Sequence, residues 1–350
     1  MNNMISINDR KIGPNFCPYI IAEMSANHNG DIKNALGIID MAISCGAHAV
    51  KLQTYSPETI TMDMRTSEFM IKEGLWKGQS LYELYESAFM PWDWHKPLFE
   101  YAKKKNMTIF SSPFDNSAVD LLEDLNAPAY KIASFEAVDI PLIKYVAKTG
   151  KPMIISTGMA NEAEIEEAIY AAREGGCKDL AILHCVSGYP APLTDYNLNT
   201  LVDMKERFKL VTGLSDHTIE NTTALGAVAL GASIIEKHVT LDRNGDGPDD
   251  SFSLEHKELK ELVDGTRATW EALGKVDYGR KSSEIGNVQF RRSLYFVKNL
   301  KKGEVISNKN TKSIRPGHGL APKYFEEILG KRVLINIEAG TAVNWDHIEK

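Results

Sequence analysis

Leu210-Val211-Thr212-Gly213-Leu214-Ser215 and Ile234-Ile235-Glu236-Lys237-His238 are short apolar runs that each end in polar side chains, and the helical stretch Glu220–Leu230 separates them. A strand, a helix and a second strand too far along the chain for a hairpin make a parallel pair with a crossover helix. The same unit recurs outward from this pair. Further runs are Tyr19–Glu23, Ala49–Gln53, Thr108–Ser112, Tyr130–Ser134, Met153–Ser156 and Leu180–Cys185. Between them lie helical stretches at Ile32–Cys45, His95–Lys105, Ser117–Leu125, Ile140–Lys148, Glu162–Glu174 and Leu198–Phe208, with Lys257–Leu273 closing the series. Eight strand–helix units over about 250 residues predict a (β/α)8 barrel, a TIM barrel, of α/β class. An open doubly wound sheet is the competing arrangement, but no GxGxxG follows the first strand.

Two segments break the rhythm. The connection from Thr54 to Trp94 is long for a strand-to-helix loop and carries Phe69, Trp76, Tyr82, Tyr85, Phe89 and Trp92. Such a loop either covers the mouth of the barrel or builds a satellite core of its own. Beyond residue 276 the character changes. Residues 277–289 are polar and read as a linker, and 290–350 carry short strand-like runs and a loop at Arg315-Pro316-Gly317. This tail predicts a small, mostly β domain too small to be stable without docking.

The chain has 350 residues, a formal net charge of −7 and 43% hydrophobic residues, which suits a large folded domain with an appendage. Mild acidity gives no field that would gather nucleic acid or an anionic membrane. No run approaches the roughly 20 apolar residues of a membrane span, and residues 1–13 contain no apolar segment like that of a signal peptide. The four cysteines lack CxxC spacing, which predicts reduced thiols and a cytoplasmic protein.

In such a barrel the C-terminal strand ends converge on the active site. Read in order, those ends present Glu23; Lys51 and Gln53; Ser111 and Ser112; Lys131, Ser134 and Glu136; Ser156; His184, Ser187 and Tyr189; Ser215 and His217; and His238. Two lysines beside several hydroxyls predict an anion cradle. A salt bridge inside the barrel and a Schiff-base lysine are the alternatives. His217 and His238 end successive strands, which lie about 5 Å apart, so both imidazoles can reach one divalent ion. Imidazole with oxygen ligands favours Mn²⁺, Co²⁺, Fe²⁺ or Zn²⁺. Glu23, on the first strand, neighbours the eighth in a closed barrel and is placed to act as a base. His28, His48, His95, His256 and His347 read as helix, loop or surface residues. The polar loop Asp242–Asp250 reads as a turn able to close on a substrate.

These segments resemble the sialic acid synthase family. The resemblance rests on Ile20-Ile21-Ala22-Glu23 with Asn27-His28-Asn29-Gly30, on Val50-Lys51-Leu52-Gln53-Thr54, and on Ser111-Ser112-Pro113-Phe114. It continues through Ala129–Ser134, Ser156-Thr157-Gly158-Met159, Gly213–Thr218 and Glu236-Lys237-His238. The tail resembles that family's antifreeze-like (SAF) domain. Within the family, Ala22–Gly30, Gly74-Leu75-Trp76, Leu81–Glu86 and Lys131–Glu136 are closest to the pseudaminic acid branch. Ser112 stands where the N-acetylneuraminate branch has Thr, and Ser187 where it has Asn. Ala133-Ser134-Phe135-Glu136 replaces the Pro-Ser-Gly-Glu of the legionaminic branch.

The resemblance implies an enzyme that condenses phosphoenolpyruvate with an N-acetylated amino sugar. Phosphoenolpyruvate would contact Lys51, Ser112, Lys131, Ser134, Ser156, Ser187 and Ser215. His217 and His238 would hold Mn²⁺, or Mg²⁺ or Co²⁺ in its place. Gln53, Glu136, Tyr189, Asp249 and Phe290 would contact the sugar, with Arg315 reaching in from a second copy in a domain-swapped homodimer. The resemblance also implies a product destined for bacterial surface glycans or flagellin.

Overall fold

The computed structural model describes residues 4–350 and divides them into two compact units, one ending at Gly274 and the other spanning Lys275–Lys350. The first unit opens with an antiparallel hairpin, β1 (Ile5–Ile7) and β2 (Arg10–Ile12), which the sequence reading did not anticipate. Eight parallel strands follow: β3 (Tyr19–Glu23), β4 (Ala49–Thr54), β5 (Thr108–Pro113), β6 (Tyr130–Ile132), β7 (Met153–Ser156), β8 (Leu180–Cys185), β9 (Val211–Asp216) and β10 (Ile234–His238). They close into one barrel in chain order, with β10 hydrogen-bonded to β3. Helices lie between consecutive strands, and the last, His256–Leu273, follows β10.

Side-chain alternation sorts two cores. One face of each strand packs with the helices into the larger core, which includes Ile20, Val50, Leu52, Ile132, Ile155, Ile182, Leu214 and Ile235. The other face fills the barrel interior with Tyr19, Ile21, Ala49, Phe110, Ala129, Ile154, Ala181, Leu183, Val211 and Ile234. Ile5, Ile7 and Ile12 of the hairpin belong to this interior cluster, so they seal the end away from the strand C-termini. Gly213 lies inside, where a β-carbon would collide with Ile234 and Leu183. The apolar residues therefore occupy the first part of each strand, and the polar residues sit above them at the C-terminal ends.

The long connection after β4 contains two short helices, Pro57–Ile60 and Leu81–Ala88, and a bridge between Met70 and Ser80. Ser80 caps the second helix, accepting from the Glu83 backbone N–H while Glu83 returns to the Ser80 N–H at 2.8 Å.

The second unit contains a 3-10 helix, Ser282–Phe290, in the stretch expected to be an irregular linker. Strands β11 (Ser293–Phe296) and β12 (Thr311–Ile314) then pair antiparallel. Its core is small: Leu294, Phe296, Leu300, Ile306, Ile328, Val333, Ile337, Val343 and Ile348. Among the described residues no helix is long and apolar enough to cross a membrane, and all four cysteines are free.

Candidate active site

Strand period two points Glu23 of β3, Lys51 of β4, Lys131 of β6, Ser215 of β9 and Glu236 of β10 to the same side as the barrel-interior residues two places earlier. All five are buried. Lys51 Nζ lies 2.6 Å from Glu23 Oε2, 3.8 Å from Glu236 Oε1 and 3.2 Å from Ser112 Oγ. Lys131 donates to Glu236 Oε1 at 2.9 Å, and Ser215 donates to the same oxygen at 3.2 Å. Two ammonium groups and two carboxylates thus form one buried, mutually compensated cluster. Both lysines engage carboxylates, the pairing that sequence reading held as an alternative to an anion cradle.

The four charges are not equivalent. Burial raises the Glu23 carboxyl, and Lys51 opposes this without cancelling it. Burial also acts on Glu236, but Lys131 and Lys51 together outweigh it and bring Glu236 down to about 2. Burial disfavours the charge on Lys51 as well; Glu23 and Glu236 reverse that, so Lys51 ends above its ordinary range. Lys131 has one carboxylate against its own burial and a second lysine, and it ends below. Carboxyls pushed in opposite directions suit different tasks, proton transfer for Glu23 and holding charge for Glu236.

Polar atoms without hydrogen-bond partners surround this cluster. Ser156 Oγ, Glu236 Oε2, Glu136 Oε2 and His238 Nδ1 are buried and make no hydrogen bond, although Asp249 Oδ2 lies 3.8 Å from His238 Nδ1. Buried polar groups are normally satisfied, so this convergence suits a polar ligand or bound water. Ser134 reaches the Cys185 sulfur at 3.2 Å, and Ser187 lies beyond it at 3.9 Å. A β-carbon at Gly158 would collide with the hydroxyls of Ser187 and Ser134, so this glycine keeps the cradle open.

The His217 and His238 ring centroids are 5.3 Å apart. Two imidazoles bound at about 2.1 Å to one cation, at a right or tetrahedral angle, have centroids roughly 4.5–5.3 Å apart. His217 Nδ1 is engaged by the Val186 carbonyl at 2.8 Å, which leaves Nε2 for a metal. Burial, with His217 and both lysines nearby, holds His238 well below the usual imidazole range, in the neutral form that ligates. Burial acts the same way on His217, but the Cys185 sulfur reverses it; a cation at Nε2 would displace that proton. Among the described residues no three His, Cys, Asp or Glu side chains cluster as a ligand set. The donors therefore fit a two-imidazole site completed by oxygens from water or substrate.

A cavity of about 370 Å³ opens above the histidines, lined by Gln53, Tyr55, Phe114, Glu136, Tyr189 and Asp249 among others. Gln53 donates to Glu23 at 3.1 Å and to Ser25 at 2.9 Å, and Ser25 donates to Asp249, so one polar chain links the charge cluster to the cavity. Tyr189 packs on His217 with centroids 4.5 Å apart. Burial raises Glu136 to about 7. The long connection lies over this cavity: the Trp76 indole donates to the Pro248 carbonyl at 3.2 Å. It also builds a satellite core, where Tyr55 meets Tyr85 and Phe114 edge-on. The loop after β10 is tied within itself and to the loop after β3, with Asp250 Oδ2 accepting from the Gly247 N–H and from Asn29, both at 2.9 Å.

Several expected positions shift. Strand β6 ends at Ile132, so Ser134 and Glu136 come from the 3-10 turn Ser134–Val138. His184 alternates away from the interior and bonds the Tyr196 carbonyl at 2.5 Å. His28 and His95 are buried, the latter 2.8 Å from Thr54 Oγ1. Phe290 and Arg315 are exposed residues of the second unit. The sequence reading gave no role to Glu236, Ser25, Cys185 or Gly158. The signal for Glu236 was present: it lies two residues before His238 and therefore on the same face. Burial pushes the Cys185 thiol up, but His217, Ser134 and Lys131 bring it to about 7.

The NeuB family profile matches residues 38–278, and the SAF domain profile matches 291–349. A pseudaminic acid synthase from Campylobacter jejuni subsp. jejuni (serotype O:23/36, strain 81-176) is 44% identical over 327 residues, 93% of this chain and 95% of that protein. An N,N'-diacetyllegionaminic acid synthase from Campylobacter jejuni (serotype O:2) is 40% identical, covering 89% and 94%. The crystal structure of an N-acetylneuraminic acid (sialic acid) synthetase from Leptospira borgpetersenii, in complex with citrate, matches with a TM-score of 0.73 at 33% identity, covering 83% of this chain and 98% of that one.

Proposed function

We infer the activity from one premise: this chain belongs to the NeuB family. It is an enzyme, a carbon–carbon bond-forming transferase acting on small molecules. We propose that it is a pseudaminic acid synthase, joining phosphoenolpyruvate, water and 2,4-diacetamido-2,4,6-trideoxy-altropyranose to give pseudaminic acid and phosphate. The observation that carries the reading is the compensated Lys51–Glu23–Lys131–Glu236 cluster lying beside paired imidazoles at the base of an open cavity.

The anionic substrate would lie against Lys51 and Lys131, with the hydroxyls of Ser112, Ser134, Ser156, Ser187 and Ser215 around its phosphate and carboxylate. His217 and His238 would hold a divalent cation, Mn²⁺ or Co²⁺ by donor type, which supplies Lewis-acid polarisation of the open-chain sugar's carbonyl. The sugar would fill the cavity against Gln53, Tyr189 and Asp249. As C3 of phosphoenolpyruvate bonds to the aldehyde carbon, Glu136, protonated near neutrality, gives its proton to the new alkoxide. Positive charge then develops at C2. Glu23, in register with both Lys51 and His238, steers a water to C2 and takes its proton. The tetrahedral intermediate expels phosphate by cleavage of the C2–O bond. Glu236 keeps both lysines charged throughout.

We also place the enzyme in the cytoplasm as a homodimer, with Arg315 of one copy serving the sugar bound by another and Phe290 contacting the sugar. The test is phosphate release from phosphoenolpyruvate with three sugars offered separately, and the products weighed by mass spectrometry. The altrose-configured diacetamido sugar should be preferred. Faster turnover of the legionaminic precursor or N-acetylmannosamine would move the chain to that branch. Borohydride trapping of substrate on a lysine would replace the mechanism with an aldolase's.

A further inference from the structure

Behind the two imidazoles lies a buried ion pair, Lys237 with Asp216. Lys237 sits between Glu236 and His238, and alternation turns it to the opposite face of β10, where it is 1% exposed. Its ammonium is 2.8 Å from Asp216 Oδ2 and 2.7 Å from each of the Thr218 and Glu220 carbonyls, with the Thr218 hydroxyl at 3.1 Å. The turn that leaves β9, from Asp216 to Glu220, is thus folded around one cation. Asp216 Oδ1 also accepts from the Thr218 N–H at 2.9 Å, and Thr218 Oγ1 meets Thr223 Oγ1 at 2.8 Å, joining the turn to the helix Thr222–Ala229.

His217 lies inside this turn, between two residues that Lys237 holds. It is anchored from the other side as well: its N–H donates to the Tyr196 hydroxyl at 2.7 Å and its Nδ1 engages the Val186 carbonyl. One imidazole therefore follows Lys237 in the chain, and the other is carried by the loop that Lys237 grips. We propose that Lys237, through Asp216 and Thr218, is a positioning residue that fixes His217 against His238 and so sets the affinity and geometry of the cation site. The proposal rests on the two-imidazole reading of that site. Groups behind a metal ligand commonly control affinity by about 10- to 100-fold. A buried pair kept only for stability would leave the affinity of the folded protein unchanged.

The test uses the full-length chain stripped of metal and titrated with Co²⁺, following the visible d–d bands, with far-UV circular dichroism as the control for folding. Lys237→Met should bind Co²⁺ about 10- to 100-fold more weakly, with displaced bands and a wild-type dichroism spectrum. Wild-type affinity and band positions in that variant would overturn the proposal. Should Lys237→Met not fold, Asp216→Asn, which keeps the shape and removes the charge, decides by the same criterion. His217→Ala separates the two ideas. If it binds Co²⁺ like wild type, the two-imidazole reading falls and this inference with it. If it loses binding while Lys237→Met retains it, the positioning role alone is refuted.

Discussion

Replacing Glu136 by Gln removes one ionisable group from the wall of the cavity while keeping its shape. Glu136 leaves the 3-10 turn Ser134–Val138 with Oε2 buried and unpaired. Burial raises its carboxyl from the ordinary 4.5 to about 7; Asp139 adds to this, and Lys131 and Lys51 work against it. A folded-state pKa above the unfolded one means that the native chain holds a proton the unfolded chain releases. Stability therefore falls as pH rises through this window, and the cost is complete above about 7. Each tenfold in proton affinity is about 1.4 kcal/mol, so the full cost is on the order of 3 kcal/mol. Gln carries no such cost. The stability advantage of Glu136→Gln over wild type should therefore grow by roughly 2–3 kcal/mol between about pH 5 and about pH 8. Urea unfolding at several pH values, with the two proteins compared at each, measures it. In parallel the variant's kcat should fall about 100-fold or more, as expected on losing a general acid. A stability difference that stays flat with pH would show that Glu136 ionises like any surface carboxylate, and it could not be the group that delivers a proton near neutrality.

Chelator should abolish turnover and Mn²⁺ restore it; full activity in excess chelator contradicts the cation site. Glu236→Gln strips the shared carboxylate from two buried lysines and should cost about 3–5 kcal/mol in urea unfolding; a loss below about 1 kcal/mol would mean the lysines are solvated without it. Gly158→Ala should raise the KM for phosphoenolpyruvate about tenfold or more with little change in Tm, because the added methyl enters the Ser134–Ser187 cradle; an unchanged KM removes that cradle from the site. Arg315→Ala should weaken use of the sugar while the barrel's unfolding stays as in wild type; unchanged kcat and KM dismiss the arginine.

The barrel was legible because its signal is local. Each apolar run announces a strand, each 3.6-residue pattern a helix, and polar residues gathered at one end of the runs mark the mouth. Strand ends near Lys51, His217 and His238 followed from that alone. The hairpin Ile5–Ile12 was not legible, since two three-residue strands carry too little periodicity to register. Glu236 was missed for a different reason. A carboxylate in a buried strand has meaning only through its partners, and Lys51 and Lys131 come from other strands. Ser134 prolongs the apolar pattern of the run and Glu136 follows just past its end, but the strand stops at Ile132 and a 3-10 turn carries both. His184 shows the limit of reading strand ends without counting phase, for an odd step from Cys185 aims it outward.

The hydrogen-bonded seam between β3 and β10 joins Glu23 to His238, the first and last members of the proposed catalytic ring. A nascent chain on the ribosome can therefore stack seven strands and still possess no reactive centre. Competence would arrive in one step, when the eighth strand docks beside the first and brings the imidazole to the waiting carboxylate. Fragments that stop short of that docking keep the lysines but expose an unpaired edge. For this architecture, a chain that stops before β10 should be silent rather than weakly active.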